Sequence, residues 1–173
     1  MRALLKDIIQ SEQDKKDIIE YARNPRGFIL FTGTNGSGKS FAAEAIYNAN
    51  TPYPLPYYDH DRAYLVNFSE LNQMYLNKMF DSEGLRLELK KTKLLVIDDL
   101  CANQCNISDT FSNFLYSIVD YRWLEKQELG TVVTTNLNSE EMGKKMGPAF
   151  RSRVASGIIK RWDHEDRRQN FNF

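Results

Sequence analysis

Short apolar runs alternate with longer amphipathic stretches along this chain. The runs are Phe28-Ile29-Leu30-Phe31-Thr32, Ala63-Tyr64-Leu65-Val66-Asn67, Leu94-Leu95-Val96-Ile97, Thr131-Val132-Val133-Thr134-Thr135 and Gly157-Ile158-Ile159-Lys160. They are brief, rich in β-branched and aromatic residues, and bounded by turn formers or charge, which predicts buried strands. Between them, apolar residues return at helical spacing. Phe41 to Tyr47 predicts one helix. Ser69 is placed to cap another that runs through Phe80, with Leu71, Tyr75 and Met79 on one face, and Glu83 to Lys91 predicts a further short one. Ser108-Asp109 opens a long helix through Glu128, striped by Phe111, Phe114, Leu115, Ile118 and Tyr121 and ended by Gly130. Ser139 to Lys145 and Pro148 to Ala155 predict short helices around Gly147.

Residues 1–23 read as an amphipathic helix, with Leu4, Leu5, Ile8 and Ile9, then Ile18, Ile19 and Ala22, near helical spacing. The polar stretch from Gln10 to Asp17 is the point at which it can divide in two. Packing on the core is the commoner use of such a helix; a partner-binding arm is the other. Asn24-Pro25-Arg26-Gly27 predicts a turn. The chain therefore divides into an N-terminal arm, 1–23, and one domain, 24–173. Within that domain Asn48 to Asp61 carries Pro52, Pro54 and Pro56, which forbid regular helix and predict an extended connection. Its Tyr53, Tyr57 and Tyr58 more often pin such a loop to the body than stack on a base. Apolar strands alternating with helices predict an α/β fold: a five-stranded parallel sheet with helices on both faces. Such sheets bind ligands beyond the carboxyl ends of their strands.

Composition narrows this picture little. The chain has 173 residues, 42% hydrophobic and 27% charged, with a formal net charge of zero. That suits one soluble domain with a sizeable core, and no whole-chain field draws it to nucleic acid or membrane. Cys101 and Cys105 are the only cysteines, and His60 and His164 the only histidines, which argues for reduced structural thiols rather than zinc or a disulfide framework. Charge enters the N-terminus too early for a signal peptide, and no apolar run approaches the roughly 20 residues of a membrane span. A cytoplasmic protein is expected.

The chemistry is concentrated at Gly33-Thr34-Asn35-Gly36-Ser37-Gly38-Lys39-Ser40, which fits G-x-x-x-x-G-K-[ST] between a predicted strand and a predicted helix. Gly33, Gly36 and Gly38 allow backbone turns that aim several N–H groups at one anion, and the helix that follows adds its positive end. Lys39 supplies an ammonium for β- and γ-phosphates, and Ser40 a hydroxyl for Mg²⁺. The strand Leu94–Ile97 ends in Asp98-Asp99. Asp98 is the candidate metal ligand and Asp99 the candidate base for an attacking water. Asn136, ending the next strand, can place its amide between that water and the γ-phosphate.

In order and spacing, the loop GTNGSGKS, LLVIDDL, TVVTTN, FRSRVASGII and a final W-D-x-x-x-R-R resemble the DnaC/IstB-like AAA+ ATPases, over about Phe28 to Arg168. The resemblance implies an AAA+ P-loop NTPase that binds ATP or ADP with Mg²⁺ and hydrolyses ATP slowly. It implies action in DNA replication as a loader of a DnaB-type replicative helicase. It further implies an arginine finger at Arg153, with Arg151 in reserve, acting on the neighbouring subunit's γ-phosphate and so requiring self-association. A sensor arginine falls at Arg167, or at Arg168 if the register slips. Asp99 stands where many such proteins carry Glu. Residues 1–27 precede the first strand, where loaders carry a separate helicase-gripping domain, so either residues 1–23 or another surface meets the partner. Single-stranded DNA is expected between the second and third strands, where Tyr75, Lys78, Arg86, Lys90, Lys91 and Lys93 lie. The competing readings are a nucleotide-binding adaptor or inhibitor without hydrolysis, a transposition helper ATPase and a small-molecule P-loop kinase. The kinase is disfavoured because the arginines cluster late, at 151, 153, 161, 167 and 168, rather than in a central lid.

Overall fold

The computed structural model describes residues 3–51, 63–77, 82–101 and 107–163. The proline-rich stretch with Tyr53, Tyr57 and Tyr58, the histidines at 60 and 164, the helix end at Lys78 to Phe80, Cys105, Arg167 and Arg168 lie outside them.

Strand β1 (Gly27–Gly33) sends alternate side chains into two separate cores: Phe28 and Leu30 into one, Ile29 and Phe31 into the other. Strands β3 (Leu94–Leu100) and β4 (Gly130–Thr135) do the same, with Leu95, Ile97 and Val133 on one face and Leu94, Val96 and Val132 on the other. Burial on both faces is why these segments are continuously apolar rather than alternating. With β2 (Ala63–Asn67) and β5 (Ile158–Trp162) they form a sheet in the order β2-β3-β4-β1-β5, and every pairing is parallel. The five-stranded parallel sheet expected from the sequence is the one observed.

Helices α1 (Glu12–Arg23) and α2 (Lys39–Asn50) supply one core. Helices α3 (Phe68–Leu76), α4 (Ser82–Lys91), α5 (Asp109–Leu124), α6 (Ser139–Met146) and α7 (Pro148–Val154) supply the other. No helix among the described residues is long and apolar enough to cross a membrane.

Several local expectations are corrected. The N-terminal stretch is not one helix: a 3₁₀ turn at Leu5–Asp7 precedes α1, and Ser11 caps α1 by accepting from the Asp14 N–H. The stretch thus divides in two where the polar residues begin, and most of those residues form the first turns of α1. Asn67, not Ser69, caps α3, its side-chain Oδ1 accepting the Ser69 N–H at 2.9 Å. Helix α5 stops at Leu124, short of Glu128, and Gly130 opens β4 rather than ending the helix. A Cβ there would stand 2.6 Å from Pro25, so the close crossing of the Asn24–Gly27 turn requires the glycine. Asn138 caps α6 through a reciprocal pair with Glu141.

The sheet end away from the phosphate loop is held by Arg122, which is fully buried. Its guanidinium donates to the Thr131 hydroxyl at 2.8 Å and to the carbonyls of Leu89, Lys90 and Thr92 at 3.0, 3.1 and 2.8 Å, and it also reaches Gly130. These carbonyls lie where α4 ends and the chain leads into β3, and Arg122 supplies each with a donor. Burial pulls the Arg122 pKa down to about 10, still well above neutral.

The other core is closed by a polar clamp. Lys160 on β5 pairs with Asp14 at 2.8 Å and Asp17 at 2.5 Å on α1, and the Trp162 indole N–H donates to Asp14 at 3.0 Å. Burial alone would raise Asp14, but hydrogen bonds from Lys160 and Trp162 outweigh it and hold the carboxyl below its usual range. The Lys160 bond lowers Asp17. Lys160 itself is raised, its burial being outweighed by bonds to both acids.

Two outcomes follow. Arg122→Met keeps the volume and removes the guanidinium that donates to these carbonyls, and should destabilise the protein by roughly 3–5 kcal/mol in chemical denaturation. The clamp should be intact at neutral pH. Depressed carboxyls contribute stability that is fully present above their unfolded value near 3.9 and lost as pH falls through their lower folded values. The raised lysine contributes below about 10.4 and loses its contribution only above that. Hydrogen exchange should therefore show α1 losing protection selectively below about pH 4, and Lys160→Met should flatten that acid dependence.

Candidate nucleotide site

A parallel sheet places the ends of β1, β4 and β3 side by side, with β4 between the other two. The phosphate-loop sequence leaves β1 at Gly33 and enters α2 at Lys39. Gly33 sits at φ 131°, where a Cβ would lie 2.1 Å from the Trp162 carbonyl oxygen of β5, so a side chain is excluded. The Thr34 N–H donates to that same carbonyl at 3.1 Å, tying the loop to the strand. Gly38, the residue before α2, is left-handed at φ 98°. The N-terminus of α2, the positive end of the helix, therefore opens directly from the loop.

Lys39 is only 5% exposed and folds across its own loop. Its Nζ donates to the carbonyls of Gly33 at 3.1 Å and Thr34 at 2.5 Å and to Ser37 Oγ at 3.3 Å. A cation is thereby held at the centre of a ring of backbone. Asn35 and Gly36 complete the turn, and Ser40 is exposed at the start of α2. The sequence held no signal for one more contact: Gln10, from the segment before α1, donates its amide to the Ser37 carbonyl at 2.8 Å.

At the β3 tip the register slips. Ile97 pairs with Val133 and Leu100 with Thr135, so β3 takes three steps against two on β4. The extra residue is accommodated by Asp99 at φ 56°, followed by Cys101 at φ 57°. Aspartate tolerates this left-handed conformation better than most residues. The Thr134 hydroxyl fixes the bulge from both sides: it donates to Asp98 Oδ1 at 2.6 Å and accepts the Asp99 N–H at 2.9 Å. Thr135 repeats the device one step on, donating to the Leu100 carbonyl at 2.8 Å. Sequence reading took these threonines as strand formers; their paired hydroxyls at a strand end beside an acidic tip were the available signal. Cys101 is a buried thiol, 3.6 Å from the Met146 sulfur.

Asn136 follows β4 and lines a cavity of about 640 Å³ together with Thr34, Asn35, Asn138 and Arg161. Arg161, from β5, had been noted only as one of several late arginines; the fold brings it to the loop, where it pairs with Asp163 at 2.5 Å. The structure thus gathers Gly33 to Ser40, Asp98, Asp99 and Asn136 at one end of the sheet. Arg153 and Arg151 lie elsewhere, on α7; neither lines this cavity.

The donor set fits Mg²⁺. That ion is usually held by one or two carboxylates plus substrate phosphates, keeping several waters. The Asp98 carboxylate and the Ser40 hydroxyl stand at this end of the sheet, and no cluster of three His, Cys, Asp or Glu side chains that could hold a metal occurs among the described residues.

The expected DNA-contacting residues are differently disposed. Tyr75 packs its ring against Phe111 and Phe114, with centroids 5.3 and 4.8 Å apart, and is part of the core edge rather than a stacking platform. Arg86 pairs with Glu83 at 3.0 Å and lies over Phe114, and Lys90 lies over Tyr121. Lys91 and Lys93 are exposed, at the sheet end opposite the loop.

No protein-family model and no curated protein matches the chain. Solved structures resemble it. A replication initiator, DnaA, bound to AMPPCP and single-stranded DNA, aligns with a TM-score of 0.76 at 15% identity, over 94% of this chain and 50% of that one. This chain therefore spans about half the length of the initiator. The DnaC helicase loader aligns with a TM-score of 0.70 at 18% identity, over 93% of this chain and 97% of that one. DnaI aligns with a TM-score of 0.66 at 20% identity, over 94% and 90%. The chain has the AAA+ P-loop NTPase fold, the fold of the DnaC/IstB-like proteins.

Thr134→Val should remove the hydroxyl that accepts the Asp99 N–H and cost about 1–3 kcal/mol in denaturation. By freeing Asp98 it should also weaken Mg²⁺-dependent nucleotide binding about 10- to 100-fold in titration calorimetry, and Thr134→Ser should restore both.

Proposed function

We propose that this chain is an ATP-binding, ATP-hydrolysing protein of DNA replication that loads a DnaB-type replicative helicase. The observation that carries the reading is the juxtaposition of the Lys39 loop and the Asp98-Asp99 tip on either side of β4. The likeness to DnaC and DnaI over nearly their full length supports the loader role over other uses of the same fold.

In this reading the loop N–H groups and Lys39 bind and orient the β- and γ-phosphates. Ser40 and Asp98 would hold Mg²⁺, which, when bound, neutralises charge on the phosphate oxygens. Asn136 orients the attacking water, and Asp99 takes its proton. The water oxygen bonds to the γ-phosphorus. The bond from that phosphorus to the β–γ bridging oxygen breaks, and its electron pair leaves on ADP. Arg153 of one protomer stabilises the charge on the transferring group bound by its neighbour. Arg161, at the cavity wall, and Arg167 are the arginines that could act on the phosphates of their own chain. Single-stranded DNA and the helicase are the proposed partners, and Lys91 and Lys93 are the exposed cations of the DNA region among the described residues. The shorter side chain of Asp99 suits slow turnover, appropriate to an assembly switch.

Lys39→Ala should weaken Mg·ATP binding about 10- to 100-fold. Wild-type turnover should rise more steeply than linearly with protein concentration, and Arg153→Ala should lower it about 1000-fold or more. Phosphate-release assays with and without helicase and single-stranded DNA check this. Tight binding with no turnover under any of these conditions would instead establish a non-hydrolysing adaptor.

A further inference from the structure

A long arginine side chain on α7 that serves a neighbour's site must be held ready away from its own loop. Arg153 is 28% exposed in its side chain, and only one of its nitrogens is engaged among the described residues. Its Nε donates to Asp120 Oδ1 of α5 at 3.0 Å. The flat face of the guanidinium lies over the Trp123 ring, 3.9 Å from its centroid. Nη1 and Nη2 have no hydrogen-bond partner among the described residues.

The two contacts come from adjacent positions on one helical face. Asp120 and Trp123 are three residues apart on α5, so both side chains stand above the same turn. Each is itself restrained. Asp120 Oδ1 also accepts the Tyr116 hydroxyl at 3.3 Å, one turn earlier, and the Lys126 ammonium lies 4.6 Å from the Trp123 centroid. The backbone beneath Arg153 is fixed too: the Ser156 hydroxyl donates to the Arg153 carbonyl at 2.7 Å, closing α7.

We propose that Asp120 and Trp123 are positioning residues for Arg153, gripping its Nε and its face so that the Nη1/Nη2 fork is presented outward, already oriented, to the phosphoryl oxygens bound by a neighbouring copy of the chain. An arginine spans two partners in this way because its five N–H donors lie in one rigid plane. A lysine has a single nitrogen and cannot answer to Asp120 and to a phosphate with the same geometry. Preorganisation lowers the ordering cost when the second protomer docks. This inference rests on the proposed trans-acting role of Arg153 and adds the machinery that aims it.

The test uses mixed protomers. Lys39→Ala provides an intact Arg153 with a disabled phosphate loop, and Arg153→Ala provides an intact loop with no guanidinium. Each alone should be nearly inactive, and their mixture should turn over ATP. Asp120→Asn or Trp123→Ala is then added to one partner at a time. Introduced into the Lys39→Ala protomer, either should lower turnover of the mixture about 3- to 30-fold, the range expected for a partly exposed ion pair and a cation–π contact. The loss should be several times smaller when the same change sits in the Arg153→Ala protomer. Arg153→Lys in place of the native arginine should not restore turnover. Equal losses in either protomer would mark Asp120 and Trp123 as merely structural and overturn the inference alone. An inactive mixture would overturn both the trans-acting reading and the inference.

Discussion

All the candidate chemistry depends on the parallel direction of the strands. Because β1, β4 and β3 all run the same way, the loop after Gly33, the residue after Thr135 and the acidic end of β3 emerge at one edge. In an antiparallel arrangement Asp98 would stand a strand's length away. Parallel order requires that each return crossing be covered by helix, and that is why both faces of the sheet are buried and the strands are apolar throughout. The fold and the site therefore share one cause.

Polar side chains secure both ends of that sheet. At the loop end, two adjacent threonine hydroxyls of β4 hold β3 in a bulge that a regular ladder would not tolerate. At the other end, one buried guanidinium collects the carbonyls where α4 turns into β3. Neither device is a large apolar contact. Each satisfies backbone groups that burial would otherwise leave unpaired, and such groups are costly to leave so. The strand that carries the acids is in this way pinned at both of its ends.

The N-terminal segment is bound into the same body. Asp14 and Asp17 reach across to Lys160, Asp14 takes the Trp162 indole, and Gln10 touches the phosphate loop itself. Trp162 connects these elements, since its carbonyl also receives the Thr34 N–H. A route thus runs from α1 through the end of β5 to the loop that would hold the phosphates. On the opposite face, α5 carries Asp120 and Trp123 to α7 and its arginines. The two cores serve different parts of the molecule: one supports the loop, the other packs α5 and α7 together.

Much of this was legible in the sequence, because it is set by local chemistry. A glycine-rich loop between an apolar run and a helix, acids ending a buried strand, and runs too apolar to face water on either side determined the fold class and the place of the candidate site. They did so because backbone freedom, periodicity and burial are properties of neighbouring residues. What the tertiary structure decided involves residues far apart in the chain. That Thr134 clasps Asp98 and Asp99, that Arg122 closes the far end, that Tyr75 is core rather than platform, and that Gln10 and Arg161 reach the loop all depend on distant segments meeting. So does the grip of Asp120 and Trp123 on Arg153. A hydrogen bond's partner is chosen by packing across three dimensions, and a residue's type records only what it can donate or accept.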